Sequence, residues 1–458
     1  MLGIGGIGMS ALARYFNVLG KKVSGYDRNS SELTDQLIHE DIAIHFNDSI
    51  ENIPAYVINA EPSELLIVYT PAIPKDSNEL NYLKSKFEIY KRSQVLGFIT
   101  KTTRTIAVAG THGKTTTSTM IAHLLHASHA NVSAFLGGVS KNLGSNFLLG
   151  DSKKPDHYAI VEADEFDRSF LTLFPQTAII TSMDADHLDI YDTHQNLIDC
   201  YNQFANQISS DGLLVIKEGL NITTSAGEIK TYSSNGRGDC SAQNIAIINN
   251  EYVFDYVSKD RTIRGLKLGL PGRHNVENAI AAITSVINLE LNDDQIRNGL
   301  ASYTGVKRRF DYQIKTTDSV FIDDYAHHPE ELRAVIKSVK EIYYEKSLTV
   351  IFQPHLYSRT RDFADEFASA LSMADFVYLL PIYPARELPI AGVTSELIFS
   401  KITCNKKLVS KEELLSLISQ TQPPLLMTLG AGDIDQLTDP IKHILENKVT
   451  VILKSNNS

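Results

Sequence analysis

Short apolar runs recur along the chain, each followed by a loop rich in glycine, aspartate or histidine and then by apolar residues at helical spacing. This alternation is the sequence form of a parallel α/β sheet, whose strands are buried on both faces and therefore read as unbroken apolar runs. Strands are expected at 22–24, 65–69, 105–109, 157–161, 177–181, 319–322, 348–352, 376–380 and 425–429. Helices are expected over 9–16, after Lys114 (Met120, Ile121, Leu124 and Leu125 on one face) and after Asn275 (Val276, Ala279, Ile280, Ile283 and Ile287). The stretch 212–270 reads as strands and turns whose order the pattern leaves open. The units fall into three groups, so an α/β fold with three domains is expected, bounded at 1–98, 99–305 and 306–458. The polar stretches 98–104 and 303–311 read as the links between them.

Composition narrows the function classes. The 458 residues carry 43 Lys and Arg against 54 Asp and Glu, a formal charge of −11. A field of that sign disfavours nucleic acid and anionic membranes but leaves room for small anions met by local amides and cations. The three cysteines, Cys200, Cys240 and Cys404, form no CxxC pair, which disfavours a disulfide framework or thiolate zinc site and suits reduced thiols. No apolar run approaches the roughly 18 residues that span a bilayer, and no signal-peptide pattern opens the chain. A cytoplasmic protein without membrane insertion is expected.

Two glycine loops carry the candidate chemistry. Gly3, Gly5, Gly6 and Gly8 fit GxGxxG before a helical segment, and Asp27 follows nineteen residues after Gly8. Such a loop lets the backbone approach a diphosphate at a helix N-terminus, whether of a nicotinamide cofactor or of another nucleotide. A strand should precede this loop, yet only Met1 and Leu2 do. An apolar strand encoded in frame upstream is therefore expected.

The second loop, Gly110-Thr111-His112-Gly113-Lys114-Thr115-Thr116, lies between an expected strand and an expected helix. Its amides can wrap phosphates, Lys114 can reach the β and γ oxygens, and the Thr115 hydroxyl can ligate Mg²⁺. A usual P-loop has a further glycine where Val108 stands, so this is a shortened variant. Two acidic strand-end loops follow, Glu162-Ala-Asp-Glu and Asp184-Ala-Asp-His187. One or two of their carboxylates would suffice for Mg²⁺, with His187 as a nitrogen ligand or orienting group. Asn278, in the first turn of its helix, either contacts a base edge or caps. Lys307, Arg308 and Arg309 place three cations on a link, facing phosphate or solvent. In the third group, Asp324-Tyr325-Ala-His327-His328-Pro and Gln353-Pro-His355-Leu356-Tyr-Ser-Arg359-Thr-Arg361 are donor-rich strand-end loops, and Arg359 or Arg361 could hold a carboxylate bidentately.

Taken in order, Gly3-Ile-Gly-Gly-Ile-Gly-Met, Gly110-Thr-His-Gly-Lys-Thr-Thr, Glu162-Ala-Asp-Glu, Asp186-His-Leu-Asp, Gly272-Arg-His-Asn, Arg308-Arg-Phe, Asp324-Tyr-Ala-His-His-Pro, Phe352-Gln-Pro-His and Gly430-Ala-Gly-Asp-Ile resemble the Mur ligases of peptidoglycan synthesis. The resemblance is closest to the branch that adds L-alanine. It implies a Rossmann-like N-terminal domain for a UDP-sugar, a central P-loop ATPase-type domain and a Rossmann-like C-terminal domain for the amino acid. The substrates implied are UDP-N-acetylmuramate and L-alanine, with ATP and Mg²⁺ and an acyl-phosphate intermediate. By the same resemblance the first loop and Asp27 hold the UDP-sugar, and Gly110 to Thr116, Asn278, Arg309 and Asp324 hold ATP. Thr115, Glu162 and His187 hold metal, and Tyr325, His327 and Arg359 surround the amino acid. Lys114, Glu162, His187 and His327 are the implied catalytic set, His327 as base for the amine. Domain closure is expected, because the ATP and amino-acid loops lie on separate units.

Members that add later residues carry a carbamylated lysine, and 197–204 contains none, as in the alanine-adding branch. A murein-tripeptide recycling ligase is the nearest rival within the family. Outside it, a nicotinamide-dependent dehydrogenase would use the first loop but leave the second without purpose, and an inactive nucleotide-binding protein would keep the fold alone. Two departures from the family pattern stand out: Leu356 where many relatives have a cation, and Thr70-Pro-Ala-Ile in place of Ser-Ser-Ala-Ile.

Overall fold

The computed structural model describes residues 1–185, 188–289, 291–385 and 387–455, with backbone only for 188–189 and 447–455. The chain divides into two compact units. One comprises Met1–Ile245, Phe254–Leu268 and Val276–Thr304, the other Ala246–Val253, Gly269–Asn275 and Gly305–Ser458.

The first unit opens with two parallel strand pairs, Ser24–Tyr26 with Ala43–His45 and Ile67–Tyr69 with Ile89–Lys91. Leu2 bridges Tyr26 on one side and Tyr69 on the other, both in parallel sense. Its amide donates to the Val68 carbonyl at 2.8 Å, while Met1 accepts from the Tyr26 amide at 2.9 Å. Leu2 is thus an isolated bridge between the two strand pairs, directly ahead of the first glycine loop. The strand expected at 22–24 lies instead at Ser24–Tyr26. Gly25 weakened its β signal, yet glycine is required there, since a Cβ would sit 2.7 Å from the Met1 carbonyl oxygen.

Beyond these pairs, ten strands form one sheet in the order Thr262–Leu268, Glu251–Ser258, Cys240–Ile248, Glu228–Ser233, Leu213–Lys217, Thr177–Ile180, Arg104–Ala109, Tyr158–Glu162, Val132–Ser140, Ser145–Leu148. The stretch 212–270, whose order the sequence left open, supplies five consecutive neighbours of it. Arg104–Ala109 runs parallel between Tyr158–Glu162 and Thr177–Ile180. The helix Lys114–Ala127 packs on this sheet, with Met120, Ile121, Leu124 and Leu125 fully buried. The polar link expected at 98–104 is almost absent, because the helix Arg92–Lys101 continues through it and buries Val95, Leu96 and Gly97. Val95 and Leu96 share one apolar core with Ala107 and Val161 of the large sheet.

A buried polar knot also joins the N-terminal helix Ile7–Val18 to the sheet edge. Arg14 pairs with Glu40 at 2.8 Å and donates to the Asn146 side-chain oxygen. The Asn146 amide in turn donates to the Ile7 carbonyl at 2.6 Å and the Ser10 hydroxyl at 2.9 Å.

The second unit holds a six-stranded sheet, ordered Asp311–Lys315, Val320–Asp324, Leu425–Leu429, Leu348–Phe352, Phe376–Leu379, Asn405–Leu408. Only the edge strand Asp311–Lys315 is antiparallel to its neighbour. The three strands next to it are buried at every residue, as a sheet covered on both faces demands.

Because Asn146 is fully buried and answers both Arg14 and the helix backbone, Asn146→Ala should cost about 1–3 kcal/mol. Calorimetry should record a lowered unfolding midpoint, and a second substitution at Arg14 should add less than its effect in the wild-type background.

Candidate active site

The large sheet's register builds the second glycine loop. Val108 is opposite Glu162 on one side, and Ala109 opposite Ile180 on the other. The residues just past these strand ends therefore meet the second glycine loop. Ser182 accepts the His112 amide at 2.8 Å and contacts the Thr111 hydroxyl at 2.8 Å, while Thr181 donates its hydroxyl to the His112 carbonyl. Gly110 and Gly113 hold φ of +132° and +81°, which favours glycine. A Cβ on Gly110 would strike the Thr181 hydroxyl, and one on Gly113 would lie 2.8 Å from the Asn278 side-chain oxygen. Asn278 thus stands against the loop, and Thr116 is buried in the helix behind it.

Lys114 donates to Glu165 at 2.8 Å and to the Gly110 carbonyl at 2.6 Å. Burial opposes its charge, but Glu165, Asp164 and Glu162 outweigh burial and raise its pKa above the ordinary lysine value. Thr115 donates its hydroxyl to Glu162 at 3.0 Å, and the other Glu162 oxygen accepts the Gly137 amide at 3.0 Å. Gly137 has to lack a side chain, because a Cβ would overlap that carboxylate. A hydroxyl and a carboxylate side by side are hard oxygen donors, which fits Mg²⁺ completed by phosphate and water. No group of three or more His, Cys, Asp or Glu that could hold a metal occurs among the described residues. His187 lies outside the described residues.

At the first loop, the helix Ile7–Val18 starts at Gly6 with no side-chain cap. Asp27 accepts the Gly5 amide at 2.8 Å, fixing the loop's shape. Gly3 has φ +80°. Between this loop and Glu162 lies a cavity of about 240 Å³ lined by Gly6, Gly8, Thr70, Gly137, Glu162 and Asp164, among others.

In the second unit, both Asp324 oxygens accept backbone amides, of Phe310 at 2.7 Å and Ala326 at 2.8 Å. Burial raises its pKa to about 6 against the pull of Arg309. Arg309 lies over the Tyr325 ring at 5.1 Å and 3.9 Å from Glu331. The His327 ring meets Tyr325 at 5.1 Å and His355 at 5.8 Å. Burial lowers the pKa of His327 to about 4, Glu331 notwithstanding, and likewise that of His355, where the Arg359 charge adds to the effect. Both rings are therefore neutral at pH 7. One terminal nitrogen of Arg359 is buried without a hydrogen-bond partner among the described residues, as suits a cation that receives an anionic ligand. Leu356 sits at φ +72° and donates its amide to Tyr383 at 3.0 Å.

Tyr325, His327 and Arg359 are thus gathered with His355. Sequence reasoning noticed His355 without giving it a place, and Ser182, Thr181 and Gly137 escaped it altogether. Thr181 and Ser182 had a findable signal, since they are the first two hydroxyls beyond a strand that neighbours the P-loop strand.

The stability of this unit should carry the two histidines' mark. Folded pKa values below the unfolded ones mean that the unfolded chain binds protons first, so stability falls as pH drops from about 6.5 toward 4. Asp324, shifted upward, acts in the opposite sense over part of that window. His355→Gln should therefore flatten the loss of thermal stability between pH 6.5 and 4, as measured by unfolding midpoints against pH.

Three family models match the chain: Mur ligase family, catalytic domain, over 1–104; Mur ligase middle domain over 108–286; and Mur ligase, glutamate ligase domain, over 308–432. The UDP-N-acetylmuramate–L-alanine ligase of Phocaeicola vulgatus is 48% identical over 452 residues, 98% of each chain. Among solved structures, the UDP-N-acetylmuramate–alanine ligase of Thermotoga maritima is similar with a TM-score of 0.81 at 26% identity, covering 98% of both chains. A murein peptide ligase of Psychrobacter arcticus shares the fold at a TM-score of 0.68 and 22% identity, covering 97% of this chain and 98% of its own. Two glycine loops, a hydroxyl–carboxylate pair beside a P-loop lysine and a His–Arg cluster thus accompany likeness along nearly the whole length: the chain belongs to the Mur ligase family.

Proposed function

We propose that the chain joins L-alanine to UDP-N-acetylmuramate with hydrolysis of ATP to ADP and phosphate, an early step of peptidoglycan precursor synthesis. The observation that carries this reading is the cavity linking the first glycine loop to Glu162, which brings a diphosphate-binding helix end beside the hydroxyl–carboxylate pair of a P-loop. A sugar nucleotide seated on the first loop directs its acid group toward the phosphoryl donor there. In this reading residues 1–98 bind the UDP-sugar, 99–305 ATP and 306–458 the amino acid.

Lys114 exchanges Glu165 for the β and γ phosphate oxygens, and the amides of Gly110 to Thr116 wrap them, with Asn278 at the adenine; on the second unit, the family resemblance assigns Arg309 and Asp324 to the same nucleotide. Thr115 and Glu162 would hold Mg²⁺, and the family resemblance assigns His187 to a second metal. The metal supplies neutralisation of charge on the transferring group. A carboxylate oxygen of the muramate takes the γ-phosphoryl group and ADP leaves. The amine of L-alanine, its carboxylate on Arg359 and its side near Tyr325, attacks the acyl carbon, and phosphate departs. Its lost proton needs an acceptor, and the neutral ring of His327 is available at pH 7.

We place the reaction in the cytoplasm. No helix among the described residues is long and apolar enough to cross a membrane.

Phosphate release from ATP and Mg²⁺ should require both UDP-N-acetylmuramate and L-alanine. Release with a murein tripeptide in place of L-alanine would move the reading to a recycling ligase. Lys114→Ala should lower turnover on the order of 10³-fold while circular dichroism stays unchanged, and an unchanged rate would refute its role.

A further inference from the structure

Arg92 begins the helix Arg92–Lys101 directly after the strand Ile89–Lys91. Its guanidinium lies over the first glycine loop: a Cβ on Gly8 would sit 2.6 Å from one terminal nitrogen. The other terminal nitrogen is 3.6 Å from Asp164, too far for a hydrogen bond but close enough for attraction. Arg92 is one-fifth exposed, donates no hydrogen bond among the described residues, and is the only cationic residue lining the 240 Å³ cavity.

The cavity's other charges are the carboxylates of Glu162 and Asp164. An acid group that enters it to receive a phosphoryl group meets two like charges, which the one cation lining the cavity, Arg92, offsets. Arginine's planar fork matches a carboxylate in two parallel hydrogen bonds, and here the fork is unspent. The diphosphate has its own donors, the uncapped amides at the start of Ile7–Val18. We propose that Arg92 binds the carboxylate of the sugar acid and aims it at the phosphoryl donor. Asp164 is the positioning residue that keeps the guanidinium over the cavity. The proposal rests on the ligase reading above.

The test compares binding of UDP-N-acetylmuramate with that of UDP-N-acetylglucosamine, which has the same diphosphate but no lactyl carboxylate, by calorimetry on the full chain. Wild type should prefer the muramate, and Arg92→Ala should reduce that preference about tenfold or more, with affinity for a non-hydrolysable ATP analogue unchanged. Arg92→Lys should restore part of the preference, because a point charge replaces the fork. Asp164→Asn should reduce it less and raise KM for the muramate more than it lowers kcat. An unchanged preference in Arg92→Ala, whether both sugars are lost equally or neither is, overturns the proposal. A wild-type chain that binds no muramate overturns the ligase reading itself, and this proposal with it.

Discussion

Strand register is the constraint on which the rest depends. Arg104–Ala109 has neighbours on both sides whose pairing fixes Val108 opposite Glu162 and Ala109 opposite Ile180. A slip of one residue would turn every side chain of a strand to the other face. Glu162 would then leave Thr115, and Thr181 and Ser182 would leave the carbonyl and amide of His112. The glycine loop contributes amides, but the adjoining strands hold those amides in a concave array. Burial of the strands on both faces makes the register costly to change, so the core and the second glycine loop are maintained by the same packing.

Electrostatics resolve an apparent conflict between an acidic chain and anionic ligands. The formal charge is −11, yet Lys114, Arg359 and Arg92 are each largely withdrawn from solvent, with carboxylates or buried surface around them. At about 8 Å, screening at physiological salt removes most of the distant field, and what a ligand feels is the nearest few charges. The net sign of the chain then governs solubility and which polymers are repelled, and says little about a pocket.

Much of this was legible in the sequence because parallel strands and phosphate loops are local signals. The run 105–109 followed by Gly110 to Thr116 required only neighbouring residues to read, as did 348–352 and 425–429. What stayed hidden was set by partners distant in sequence. Glu165 stood in plain view as one of several acids, but its choice as the counter-ion of Lys114 depends on a strand end 51 residues away. His355 joins His327 through sheet order, and the five strands of 212–270 take their places from edge pairing that no local pattern encodes. The link expected at 98–104 misled because polar residues at a helix's exposed end look the same as a loop.

The contact between Lys114 and Glu165 changes what nucleotide affinity means for this site. The lysine is already dehydrated and already neutralised before any nucleotide arrives. Under the proposed reading, binding of a phosphate is an ion exchange, in which one buried anion replaces another at the same cation. Much of the gross attraction cancels in such a trade, so firm contacts to the phosphate are compatible with modest affinity and prompt departure of the spent nucleotide.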